Sequence, residues 1–80
     1  MDVEEKIRDI ITKIAHVSKS QILDKVRFKD MYIDSLDAVQ IALAVEEQFG
    51  IEVLDDHLQD KSTFGEFVAH VKDKIQRRGK

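Results

Sequence analysis

Residues 34–50 read Asp34-Ser35-Leu36-Asp37-Ala38-Val39-Gln40-Ile41-Ala42-Leu43-Ala44-Val45-Glu46-Glu47-Gln48-Phe49-Gly50, and this stretch decides the fold. It opens on Asp34 and Ser35, whose side-chain oxygens suit the orphan N–H groups at a helix start. Asp37 adds negative charge to the first turn, where the helix dipole favours it. Gly50 closes the stretch and suits the left-handed position just past a helix end. A helix from Asp34-Ser35 through Phe49 follows. Leu36, Val39, Ala42, Leu43 and Phe49 fall on one broad side, and Ile41, Ala44 and Val45 extend the apolar surface nearly all round. Such a helix is central to its domain or presents an apolar strip to something outside it; central packing takes the larger share.

Upstream, Val3, Ile7, Ile10, Ile11 and Ile14 form one face of a 3.6-residue period, with Asp2, Glu4 and Glu5 in the first turn. This helix is expected to end near residues 16–18. The period then dissolves. Ile22, Leu23, Val26, Phe28, Met31 and Ile33 are scattered among polar residues in a connection of about 15 residues. A connection that long in a small domain is usually functional, and its apolar residues predict that it is pinned across the core. A short helical turn is expected around residues 21–23. Downstream, residues 51–62 are too short for two more elements, and a one-turn helix is expected near residues 55–59. The last helix begins with a capping box, Thr63 followed three residues on by Glu66. Phe64, Phe67, Val68, Val71 and Ile75 then mark one face, and the basic tail, residues 76–80, is expected to fray. The pattern predicts an all-α protein, a small antiparallel four-helix bundle with a long first loop and a short third helix.

The chain has 80 residues, which fits a single domain over 1–80, and no Cys, which removes disulfides and thiolate metal sites. Its longest apolar run, residues 41–45, is far shorter than the roughly 20 residues of a membrane span. The early charges at Asp2, Glu4 and Glu5 break any signal-peptide pattern, so a cytoplasmic location is expected. The formal net charge of −3 disfavours nucleic acid but conceals a segregation. Residues 30–60 hold nine acids (Asp30, Asp34, Asp37, Glu46, Glu47, Glu52, Asp55, Asp56, Asp60) and no Lys or Arg, so this stretch carries −9 and the rest +6. An acidic block of this kind steers a basic partner, or it is a solvated face; charge alone does not decide.

The chain carries none of the phosphate-loop, dinucleotide or nucleophile-elbow glycine motifs, and residues 55–66 fail the calcium-loop pattern at His57, Gln59 and Asp60. His16, His57 and His70 are scattered without a ligand partner at helical spacing. So short a chain has little wall with which to enclose a catalytic pocket. Ser35 stands out: it sits where the long connection meets the central helix, flanked by Asp34 and Asp37. A hydroxyl at a helix start suits a phosphate; on position alone an ordinary capping serine is the plainer reading.

Asp34-Ser35-Leu36-Asp37 resembles the D-S-L-[DE] signature of acyl carrier proteins. Phe28-Lys29-Asp30 is similar to the segment that precedes the signature in that family. Residues 46–53 (Glu-Glu-Gln-Phe-Gly-Ile-Glu-Val) resemble the family's E-E-x-F-x-x-E-I stretch, and Thr63-Phe64-Gly65-Glu66 the start of its last helix. The resemblance covers nearly the whole chain. It implies the four-helix fold already expected and makes Ser35 the attachment point of 4′-phosphopantetheine, which a phosphopantetheinyl transferase moves from coenzyme A. The arm's thiol then carries an acyl group as a thioester, so the chain is no enzyme and needs no Cys. The resemblance also implies docking of the second helix on basic patches of acyl-loading, synthase or acyltransferase enzymes. By matched position Asp34, Asp37, Glu46 and Glu47 supply charge and Leu36 and Leu43 apolar anchors, while Gln40 stands where Glu is common. A monomer is expected.

Two further departures separate this chain from the family's pattern. Met31-Tyr32-Ile33 stands where Leu-Gly-x is usual, and Leu54 where Pro is common. They point to a specialised carrier in lipid or secondary-metabolite synthesis rather than general fatty acid synthesis. Ala42, Ala44 and Ala69 are small enough to line a space for a cargo chain, or to serve close packing. The alternatives are an unmodified acidic helical adaptor for a basic protein, or an aminoacyl or peptidyl carrier.

Overall fold

Helix α1 spans Val3–Ala15 because an isoleucine face meets a well-capped start. Asp2 has extended backbone, and its side chain accepts from the Glu5 N–H at 3.1 Å. His16 ends the helix in the left-handed conformation, φ 58°. In this computed structural model, which describes residues 2–53 and 62–78, two further long helices follow. They are α2, Ser35–Phe49, and α3, Phe64–Arg78. Short 3-10 turns at Lys19–Gln21 and Phe28–Met31 punctuate the long connection. The described residues are thus helical and contain no strand, only an isolated bridge between Arg27 and Thr63. Three helices are present among the described residues; the short helix expected near residues 55–59 lies outside them.

One core unites these elements. Ile7 and Ile11 of α1, Ile41, Val45 and Phe49 of α2, and Phe64, Phe67, Val68 and Val71 of α3 are buried together. Fully burying each such side chain contributes about 1.5–3 kcal/mol, which is what a chain without disulfides relies on. Phe28 meets Phe67 edge to face, with ring centroids 5.7 Å apart.

Phe28 belongs to the long connection, which is pinned across the core as its apolar residues predict. Ile22, Phe28 and Met31 are buried, whereas Leu23 is exposed. The first turn falls at Lys19–Gln21, slightly earlier than the expected 21–23. Backbone hydrogen bonds tie the connection to the start of α3: Phe28 N–H to Ser62 O at 3.1 Å, Phe64 N–H to Val26 O at 2.9 Å, and Gly65 N–H to Asp24 O at 2.9 Å. Gly65 permits this approach, since a Cβ there would lie 3.0 Å from the Asp24 carbonyl oxygen. Arg8 adds a second tie. Its Nε donates to Ile22 O at 3.1 Å, its guanidinium pairs with Glu4 and Glu5, and its Cζ lies 5.0 Å from the centre of the Phe64 ring. Lys19 pairs with Glu5 and Asp9 on α1. The Lys19 ammonium holds the Asp9 carboxyl below its ordinary value, and Asp9, then Glu5, hold Lys19 above its own.

The broad apolar side expected of α2 is divided. Ala38, Ile41, Ala42, Val45 and Phe49 face the core, whereas Leu36, Val39 and Leu43 do not. The core takes the larger share, but an apolar strip is also presented outward. Ala42 is buried, Ala44 half-buried and Ala69 exposed, so Ala69 lines no interior space.

Candidate functional site: the start of helix α2

The buried side chains of Phe28 and Met31 fix the chain just ahead of α2. The Tyr32 N–H donates to Lys29 O at 3.2 Å and the Ile33 N–H to Phe28 O at 3.4 Å. Tyr32 takes the left-handed conformation with φ 58°, and the chain then runs extended into Asp34. Asp34 alone caps the helix: its Oδ1 accepts from the Asp37 N–H at 2.8 Å. Ser35 is therefore the first helical residue rather than the cap, and it is exposed. No hydrogen bond engages its hydroxyl among the described residues. An uncommitted, accessible oxygen beside the free N–H groups of a first helical turn fits a phosphate ester, because those groups and the dipole favour an anion. Its exposure leaves it accessible from solvent.

From Ser35 the outward face of α2 runs through Leu36 (73% exposed), Val39 (41%) and Leu43 (54%). Their spacing of three and four residues keeps them on one stripe. Gln40 and Glu47 are exposed beside this stripe, and Asp37 is half-buried. Glu46 is half-buried, and its Oε2 accepts from the Val53 N–H at 2.9 Å, securing the turn after Gly50. This internal duty was not legible in the sequence. Nor was the exposure of Val39, although its place between Leu36 and Leu43 on a helix with more apolar surface than one core face needs was a usable signal. Gly50 closes α2 at φ 65°, as expected. Among the described residues no group of His, Cys, Asp or Glu is arranged to hold a metal ion, and no helix is long and apolar enough to cross a membrane.

Fold and site together define a class: a small helical protein with an exposed serine in the first turn of a helix, among carboxylates and exposed apolar side chains. Comparison with known sequences agrees. Residues 5–71 match the family described as "Phosphopantetheine attachment site". The acyl carrier protein of Buchnera aphidicola subsp. Schizaphis graminum is 35% identical over 74 residues, covering 91% of this chain and 94% of that protein. The acyl carrier protein of Nitratidesulfovibrio vulgaris is 39% identical over 75 residues, covering 92% of this chain and 99% of that protein. The chain belongs to the phosphopantetheine-attachment family of acyl carrier proteins. Its cofactor is covalently bound 4′-phosphopantetheine, and it is a carrier, not a catalyst.

Proposed function

We propose that Ser35 is the residue that bears the arm. The single observation behind this is the division of labour at the helix start: Asp34 caps, and the neighbouring hydroxyl is left exposed and unbonded. In the attachment step the Ser35 oxygen bonds to phosphorus, the pyrophosphate bridge of coenzyme A breaks, and the adenosine bisphosphate half leaves. The hydroxyl proton passes to a base of the phosphopantetheinyl transferase. When bound, the arm supplies a thiol that holds acyl groups as thioesters. The chain's own part is to hold the anchoring oxygen at a rigid point, to favour the phosphate with first-turn N–H groups, and to present a docking face.

That face comprises Asp34, Leu36, Asp37, Gln40, Leu43, Glu46 and Glu47, with Val39 added. Its acids match the basic patches of acyl-loading, synthase or acyltransferase enzymes, and exposed pairs worth about 0.2–1 kcal/mol each suit rapid release. We read the chain as a single carrier domain over residues 1–80, a cytoplasmic monomer. Its three described helices are read as part of a small antiparallel four-helix bundle. The departures at Met31-Tyr32-Ile33 favour a dedicated lipid or secondary-metabolite pathway.

Incubating the chain with coenzyme A and a broad-specificity transferase gives one increment of mass, and Ser35→Ala gives none. An increment that survives Ser35→Ala overturns the assignment; no increment on the unaltered chain leaves the adaptor reading in its place.

A further inference from the structure

Tyr32 is 92% exposed and holds φ 58°, a conformation that a side chain with a Cβ adopts at steric cost and glycine adopts freely. The ring gains no burial to offset that cost, so the folded chain has no use for a tyrosine here. The backbone on either side is held in place. The Tyr32 N–H is fixed on Lys29 O, Met31 before it is buried, and Ile33 after it is half-buried against the core. The backbone thus holds an aromatic ring out in solvent three residues ahead of Ser35. Around it stand the exposed acids Asp30 and Asp34, and the exposed apolar stripe of α2 begins at Leu36.

We propose that Tyr32 is a specificity-determining contact that selects among the enzymes acting at Ser35. Its ring requires a partner with a basic docking surface and an apolar recess beside the mouth that receives the arm. It turns away partners whose surface at that point is flat and built to meet glycine. The basic character follows from the −9 carried by residues 30–60, and the recess from an apolar ring held where only a partner can bury it. Exclusion of wrong partners is half of such selectivity. This inference rests on Ser35 being the attachment residue.

The test keeps the two apart. The chain is first loaded with coenzyme A by a broad-specificity transferase and checked by intact mass. The probe enzyme is the malonyl transferase of general fatty acid synthesis, whose carriers usually have glycine at this position. Tyr32→Gly is expected to raise kcat/KM with that enzyme roughly tenfold, equivalent to about 1.4 kcal/mol of relieved misfit, and through KM rather than kcat. The Kd of the unloaded chain for the same enzyme falls by the same factor, and Tyr32→Phe leaves both unchanged. If the chain loads normally but Tyr32→Gly behaves like the unaltered chain in both measurements, the role of Tyr32 is overturned while the assignment of Ser35 stands. If the chain does not load, or loads elsewhere than Ser35, both fall.

Discussion

Asp34 and Ser35 are both good helix caps by residue type, and only geometry separates them: the 2.8 Å bond from the Asp37 N–H goes to Asp34. Asp34→Ala is therefore expected to cost about 1 kcal/mol, which in a domain of this size lowers Tm by about 4–8 °C. Ser35→Ala, which removes a hydroxyl with no partner, leaves Tm unchanged by thermal unfolding. A matching loss for both variants would contradict the division of labour. Tyr32 runs the other way. Tyr32→Gly relieves a left-handed residue that costs about 1–2 kcal/mol, less the extra chain entropy of glycine in the unfolded state, so Tm is expected to hold or rise slightly. The sequence singles out Ser35 by its neighbours and its signature. It could not show that the hydroxyl is spared from capping, because a cap depends on where the backbone turns and not on which residue is able to cap.

The helices were legible because apolar periodicity and caps are local signals: α2 stops at Gly50, and α3 carries the box in which the Thr63 N–H donates to Glu66 Oε1 at 2.9 Å and the Glu66 N–H to Thr63 Oγ1 at 3.1 Å. The pairing of the long connection with the start of α3 was not, since it joins residues 24–28 to 62–65 and no local pattern encodes that register. Gly65 is the residue on which the pairing turns. Alanine would favour the helix by up to about 1 kcal/mol. Its Cβ, however, would press within 3.0 Å of the Asp24 carbonyl oxygen and strain a backbone hydrogen bond, at about 1–3 kcal/mol. Gly65→Ala is expected to lower Tm, with the loss of amide protection concentrated at Phe64 and Gly65; a rise in Tm would mean that the connection yields. The same connection is tied to α1 through Lys19 and Asp9. Asp9 is held below its ordinary 3.8, so its contribution is present above that value and lost as pH falls through the lowered one. Lys19, held above 10.5, contributes below that value and loses its share as pH rises through the raised one. Protection factors at Gln21 and Ile22 should fall on acidification below the carboxylate range. Lys19→Met should abolish the step; a step that persists would assign it to other carboxylates.

Across the whole molecule, charge is segregated along the chain more sharply than the net value suggests. The formal −3 is −9 in residues 30–60 against +6 elsewhere, and the stretch with the acids also carries Ser35, Tyr32 and the outward stripe of α2. Partner encounter is accordingly expected to slow as salt rises toward physiological strength and the Debye length contracts to about 8 Å, with little change in dissociation rate. Stopped-flow association with a carrier-dependent enzyme reads this directly, and an on-rate indifferent to salt would show that the acidic block does not steer. All of this depends on one oxygen atom. Cleavage after Lys29 and Lys61 releases a peptide in which Ser35 is the sole serine or threonine and Tyr32 the other hydroxyl. Fragmenting that peptide after transferase treatment with coenzyme A should place the entire added mass on Ser35. Mass on Tyr32, or on any other peptide of the chain, would contradict the account.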